Sequence, residues 1–334
     1  MRIWRFPTLV IMICAIFGAG PLHAQQSQIY EANKGRIGLM TGSATGTYVK
    51  IGADLASVLD GQYGLRIIPM LGRGSQSNIK DMLYLRAVDM GLVQSDVLTQ
   101  IRLTDPYNEA LQKISYISKI YNEELHILTK RSSSIQSLAD LQNKRVSTGG
   151  SGSGTELTAK LVLKFMDVEV KEHKLRNIDA LEALKSGTLD AMMFVAGKPT
   201  AFASSISHAD NLRLIPVPYS DLLSGIYQPS QITSHDYPAL IDGKFIETIS
   251  VGAVLAVYDD HAKKSNRYAA FIAFSKALLD NQAMFNKSAR HEKWSEFDPR
   301  NEVPGWRRFE PMQKLLAGED IVKGDTIEDI MKNQ

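Results

Sequence analysis

Two stretches about a hundred residues apart repeat one local grammar, and that grammar restricts the chain to few architectures. Met40-Thr41-Gly42-Ser43-Ala44-Thr45-Gly46-Thr47-Tyr48 and Ser147-Thr148-Gly149-Gly150-Ser151-Gly152-Ser153-Gly154-Thr155-Glu156 each leave a short apolar strand, turn through Gly, Ser and Thr, and open a helix at a Gly-Thr step. Glycine lets a backbone turn sharply and come close to a ligand. The free N–H groups of a helix's first turn, at the positive end of its dipole, favour an anion or a polar head group. Two such turns point to two α/β lobes, each offering one helix N-terminus to a shared cleft, an arrangement that holds a small anion without a dedicated arginine.

The segments between the turns extend this pattern. Arg36–Met40 reads as a strand, and Thr47–Leu59 as a helix whose Tyr48, Ile51, Leu55, Val58 and Leu59 keep helical spacing. Leu65–Met70 and Met90–Val93 are further strands, with a helix between them running to Arg86 and capped by Ser75 or Ser77. Strands alternating with helices imply a parallel sheet built from βαβ units. Two β-like stretches, Tyr116–Ile120 and Leu125–Thr129, mark a first crossing between lobes. The second lobe then has strands at Lys144–Thr148, Val168–Lys171 and Leu189–Val195, and helices at Thr155–Phe165 and Ile178–Ser186, the latter closed by Gly187. A helix start is expected at Pro199 and a strand over Leu212–Val217. Thr248–Tyr258 is a candidate return crossing, and Ala262–Leu279 the clearest helix of the tail.

The N-terminus has a different character. Met1-Arg2-Ile3-Trp4-Arg5, an apolar run to Phe17 and then Pro21-Leu22-His23-Ala24 ahead of Gln25 read as a signal peptide over residues 1–24, cleaved after Ala24. The single cysteine, Cys14, lies inside that leader, so the expected mature chain has no disulfide, thiol nucleophile or cysteine metal site. Export without disulfides suits a bacterial periplasm. Removing Arg2 and Arg5 from the 38 Lys and Arg leaves 36, equal to the 36 Asp and Glu, and no basic run argues for nucleic acid.

Catalytic signatures fail one by one. Gly149 and Gly154 have P-loop spacing, but Thr155-Glu156 stands where Lys-Ser/Thr is required. No serine sits in a Gly-x-Ser-x-Gly elbow. His126, His173, His208, His235, His261 and His291 show no metal-ligand spacing and read as surface or packing residues. Glu123-Glu124 and Asp259-Asp260 read as solvated carboxylates in turn-like settings.

Parallel α/β sheets bind ligands beyond the C-terminal ends of their strands. Those ends carry Thr41–Tyr48, Gly72–Asn78, Gln94–Asp96, Gly149–Thr155 and Val195–Lys198. The expected ligand-binding residues are therefore Thr45, Gly46, Thr47, Tyr48, Ser75, Asn78, Gln94, Ser153, Gly154, Thr155, Gly197 and Lys198. Tyr48 either meets a ligand or packs in the core. Asn78 and Gln94 offer donors and acceptors, and Arg73 and Lys198 are candidate counter-ions for a carboxylate. Asp96 either binds a ligand ammonium group or caps its own helix, and the cap is the reading taken.

At these residues the chain resembles the TAXI family of solute receptors, the extracytoplasmic binding proteins of one branch of TRAP transporters. Thr41-Gly42-Ser43-Ala44-Thr45-Gly46-Thr47-Tyr48 resembles the family's Gly-Thr-Tyr turn, Gly74-Ser75-Gln76-Ser77-Asn78 its Gly-Ser-Val-Glu-Asn turn, and Leu92-Val93-Gln94-Ser95-Asp96-Val97 its Val-Gln-Ala-Asp segment. Ser137–Leu141 with Lys144-Arg145-Val146, Gly152-Ser153-Gly154-Thr155 and Asp190–Pro199 complete the likeness. Ala44 and Ala196 replace a usual glycine, and Gln76-Ser77 replaces Val-Glu. The resemblance implies a two-lobed type II periplasmic-binding-protein fold with a two-crossing hinge, no catalysis and no cofactor. Lobe 1 would comprise residues 25–124 plus 250–334, and lobe 2 residues 125–249. It further implies capture of a small carboxylate or amino acid, glutamate-like in the first instance, and delivery to membrane TRAP permease subunits. A sensing module that docks on a membrane kinase is the alternative use of the same fold, and a periplasmic enzyme a third.

Overall fold

Arg36–Met40 forms β1, buried at all but its first residue, and exits into the first glycine turn. The computed structural model describes residues 33–261 and 265–319; the leader, its cleavage point after Ala24 and Cys14 lie outside them. Helix α1 (Thr47–Leu59) turns Tyr48, Ile51, Leu55, Val58 and Leu59 inward, as their spacing predicts. β2 (Arg66–Met70) runs parallel to β1, Arg36 opposite Arg66, and β3 (Met90–Gln94) flanks β1 on its other side. Between β2 and β3 lies α2 (Ser75–Tyr84), which begins after Gly74 without a side-chain cap. Neither candidate serine caps it: the cap position is Gly74, Ser75 Oγ accepts the Gln94 N–H (2.9 Å), and Ser77 Oγ donates to Gly152 O (3.3 Å). α3 (Val97–Thr104) and α4 (Ala110–Lys113) follow.

The two β-like stretches of the first crossing are one strand, β4, of 17 residues (Ile114–Lys130). No glycine or proline interrupts it, and burial along nearly its whole length keeps it extended. This is why Glu123 and Glu124 are not in a turn: both are buried mid-strand.

The chain continues through β5 (Arg145–Ser147), α5 (Gly154–Phe165), β6 (Lys171–His173), α6 (Asn177–Ser186) and β7 (Ala191–Ala196). Gly187 closes α6 in the left-handed conformation, φ 83°. α7 (Ala201–Ser204) starts two residues past Pro199, capped by Thr200. β8 (Leu212–Leu214) is shorter than expected, since Pro216 has no N–H to donate. β9 (Gln228–Thr233) pairs with the long return strand β10 (Phe245–Tyr258). α8 (Asn266–Asp280), capped by Ser265, α9 (Gln282–Phe285) and α10 (Glu310–Ala317) finish the described chain; the expected start of α8 falls partly on residues 262–264, outside the described set.

The strand order is β2-β1-β3-β10-β4-β7-β5-β6, with β8 on β4 and β9 on β10. Two parallel groups are thus joined by an antiparallel pair. β10 is paired with β4 from Tyr258 opposite Ile114 to Ser250 opposite Glu124; from Glu124 onward β4 pairs with β7 instead. One core packs α1 and α8 on the first group, with Ile37, Leu55, Phe271, Trp294 and Phe309 buried together. A second surrounds β7, α6 and α7 through Leu184, Phe194 and Phe202. A third runs between the groups and includes Ile79, Val93, Ile127, Leu157 and Val162. The ends of β1, β3, β5 and β7 and the starts of α1, α2 and α5 consequently face one another.

Candidate functional site

A cleft of about 660 Å³ lies where those ends meet. Its lining comes from the first glycine turn and start of α1 (Ser43–Tyr48), the loop into α2 (Gly72–Ser75), Gln94 and Glu123 on one side. The other side supplies Gly150, Ser151, Ser153–Thr155, Arg176–Ile178, Val195 and Ala196.

Backbone requirements place the walls. α1 begins at Gly46 with no side-chain cap and no acidic residue in its first turn, and Thr47 and Tyr48 line the cleft. Its first-turn N–H groups have no partner within the helix, so the cleft receives their partial positive charge. α5 is built differently. The Glu156 N–H donates to Ser153 Oγ (3.1 Å) and the Gly152 N–H donates to Glu156 Oε2 (2.7 Å). Burial pushes the Glu156 carboxyl up, but Lys160, Lys174 and the Gly152 N–H together outweigh it and hold the group down to about 2. A Cβ at Gly154 would stand 2.1 Å from Gln94 Oε1 and 2.8 Å from Ser75 Oγ, so any side chain there forces those two buried side chains to move.

Direct bonds cross between the two sides. Thr47 Oγ1 donates to Gly197 O (3.0 Å), and the Ser77 N–H donates to Gly152 O (3.1 Å). Thr158 Oγ1 and Tyr227 OH both donate to Asp96 Oδ2, at 2.8 and 2.9 Å. Burial raises the Asp96 carboxyl to about 7 despite those two donors.

The buried part of the lining holds one carboxyl group, Glu123, which is 4 % exposed. Tyr48 OH donates to its Oε2 (2.7 Å) and Tyr121 OH to its Oε1 (3.3 Å). Burial is the largest influence on it and raises it to about 8. Burial and the neighbouring Glu123 likewise raise both tyrosine hydroxyls well above their usual range. At the exposed part stand Arg73, without a side-chain partner among the described residues, and Arg176, whose guanidinium meets Asp179 (2.9 Å). Among the described residues no cluster of His, Cys, Asp and Glu could hold a metal ion.

Comparison with known proteins places this geometry. The model of the NMT1-like family matches residues 39–293, which includes both glycine turns and both long strands. The chain belongs to the NMT1-like family. Among solved structures it is similar to the periplasmic binding protein BugD, at 13% identity and TM-score 0.53 over 85% of this chain and 93% of that one. An ancestral arginine-binding protein bound to arginine matches at 17% identity and TM-score 0.48, over 75% of this chain and 93% of that one. The periplasmic aliphatic sulphonate binding protein SsuA from Escherichia coli matches at 15% identity and TM-score 0.46, over 86% and 79%. The likeness to BugD shows the fold, that of the two-lobed periplasmic solute-binding proteins. No helix among the described residues is long and apolar enough to cross a membrane.

In this NMT1-like chain Thr45, Gly46, Thr47, Tyr48, Ser75, Gln94, Ser153, Gly154 and Thr155 all lie on the cleft. Asn78, Gly197 and Lys198 do not. Asn78 is fully buried and its amide donates to Thr41 O and Leu92 O, both at 2.8 Å, so it ties α2 to β1 and β3. Gly197 offers its carbonyl to Thr47, and Lys198 Nζ is turned away to Asp236 (2.9 Å). Asp96 sits ahead of α3, yet its side chain caps nothing there and instead receives Thr158 and Tyr227. Tyr48 packs in the core as a buried residue of an amphipathic helix, and it also lines the cleft, where its hydroxyl donates to Glu123.

Sequence reasoning missed Glu123 and Arg176. The first was lost because β4 was divided into two stretches, which turned a mid-strand carboxylate into a turn residue. The second follows β6, a strand that lies at Lys171–His173 and not at Val168–Lys171. With that strand placed correctly, the rule about C-terminal strand ends would have pointed to Arg176-Asn177.

Proposed function

We propose that this protein is a periplasmic solute-binding receptor. It captures a small organic acid or amino acid, a glutamate-like carboxylate in the first instance, by closing two lobes. It then hands the ligand to a TRAP-type ion-coupled transporter, without catalysing a reaction on it. The lobes are residues 25–124 plus 250–334 and residues 125–249, and the leader directs the chain to the periplasm. One observation carries the reading: the uncapped N-terminus of α1 and Arg73, which has no side-chain partner among the described residues, share a cleft with the glycine turn of α5. Positive potential is thereby placed at a cavity within the size range of small-molecule sites, with walls from both groups of strands. A ligand touching both walls favours the closed state because its affinity for the open one is lower. The family membership and the fold support the receptor class; the TRAP branch rests on the TAXI resemblance of the glycine turns.

Thermal melting of residues 25–334 with amino acids, dicarboxylates, 2-oxo acids and sugars tests this. A ligand at a hundred times its Kd adds about 2.7 kcal/mol, a shift of several degrees. A shift with one carboxylate class is expected; shifts confined to sugars, or turnover of the bound compound, would overturn the reading.

A further inference from the structure

We propose that Glu123 anchors a ligand ammonium group, so that the cleft takes a zwitterionic amino acid in preference to the plain carboxylic acid of the same skeleton. This rests on the receptor reading above and narrows its ligand class. Glu123 is buried, lines the cleft, and has two neutral donors, Tyr48 and Tyr121. Among the described residues no cation pairs with it. Its neighbour Glu124 shows the contrast, with Lys293 Nζ 2.7 Å from its Oε1. An ionised carboxylate has about four acceptor sites, and two tyrosine hydroxyls leave the others unfilled. A buried charge without a counter-charge is costly, and the remaining approach to Glu123 is through the cleft.

The same cleft also carries the opposite sign, from Arg73 and the first-turn N–H groups of α1. A ligand with its carboxylate at those groups and its ammonium at Glu123 satisfies both. Asp96 is not available for the second role, since it is fully buried and does not line the cleft. The groups around Glu123 are Tyr48 from α1, Tyr121 and Glu124 from β4, and Asp96 beyond β3, none of them cationic. Burial, before any other cause, keeps Glu123 protonated up to about 8. An arriving ammonium group displaces that proton to solvent and takes its place as the counter-charge, whereas an arriving carboxylate keeps the proton on.

Titration calorimetry at pH 6.5, repeated in two buffers of different ionisation enthalpy, reads this directly. The probes are pairs with and without the amine: L-glutamate with glutarate, and L-leucine with 4-methylpentanoate. For at least one pair, the amino member is expected to bind about tenfold or more tighter, because its partner leaves a buried polar group unsatisfied. It should also release close to one proton per ligand. Glu123→Gln should abolish both the preference and the release. The preference is a ratio within one variant, so a general loss of stability does not imitate it; Tyr121→Phe, which keeps the carboxyl, should retain the preference. Equal or tighter binding of the acid lacking the amine, with no proton released, would overturn the ammonium anchor and leave the receptor standing. No binding of any of these acids or amino acids by the folded protein, with a sugar bound instead, would overturn both.

Discussion

The two glycine turns look alike as strings of residues, yet they end their helices in opposite ways. At the first, α1 starts from an uncapped Gly46 that has room around it, the nearest contact of a Cβ being 3.4 Å away. At the second, α5 is capped by Ser153, braced by Glu156 and wedged by Gly154 against Gln94 and Ser75. An open N-terminus holds donors in reserve for a ligand. A satisfied and tightly packed one sets where the opposite wall stops. The pair teaches that a shared motif fixes a backbone shape, and that the residues just after it decide whether the shape serves binding or closure.

The sharpest way to break this contrast is to add a side chain at each glycine. Gly154→Val should remove the closed arrangement, because atoms at 2.1 to 2.8 Å cannot be accommodated without moving Gln94 and Ser75. Ligand affinity should fall by about a hundredfold or more, equivalent to about 3 kcal/mol, and X-ray scattering with ligand should report an expanded particle. Gly46→Ala, at φ −86° and ψ 166°, should change stability by about 0.5 kcal/mol or less. Similar losses at both positions would remove the distinction.

Titration sharpens it next. Asp96, which receives Thr158 from α5, is raised from 3.8 to about 7. A raised folded value means that the folded form binds the extra proton. Its stabilisation is complete below about 3.8 and is lost as pH rises through about 7. Glu123 adds a decline of the same sign between 4.5 and about 8. Glu156 runs the other way: lowered from 4.5 to about 2, it contributes stability above 4.5 that is lost as pH falls through about 2. Melting curves from pH 4 to 8 should therefore show a shallower fall with rising pH in Asp96→Asn than in the parent. An identical slope would remove Asp96 from the account.

The smallest effect is that of the cap. Ser153→Ala should cost about 1 kcal/mol, a drop in Tm of about 2–4 °C, measured by calorimetry. Ser43→Ala in the first turn should leave Tm unchanged, since that serine caps no helix.

Local periodicity and turn chemistry carried most of the architecture. The helical spacing from Tyr48 to Leu59, the glycine that closes α6 and the strand ends that line the cleft all follow from short-range rules. Failures came where a long-range partner overrode a local preference. Ser75 and Ser77 are respectable caps, but a β3 amide and the Gly152 carbonyl claim their hydroxyl groups. Asp96 had a helix of its own to cap and instead accepts hydroxyls more than sixty residues away. Glu123 looked solvated because paired acidic residues usually are; only the unbroken β4, buried by strands from both groups, reveals it as a core position. No local pattern announces a carboxylate whose partners are two tyrosines on different elements.

The antiparallel pair β4 and β10 has one more consequence. Its register shifts between Ala253 and Val254 and again between Leu255 and Ala256, and irregular pairing of this kind bends and over-twists a ribbon locally. The next rungs, Gly252 opposite Asn122 and Val251 opposite Glu123, are regular and sit beside the cleft. The ribbon thus has its irregular turns at one end, where β10 also pairs with β3. Lys293 and Glu296 grip β4 just above those turns, through Glu124 and the Asn122 N–H. Any twist of one group of strands against the other would act on a clamped strip, and the carboxyl group of Glu123 lies on the part of the strip that the clamp grips.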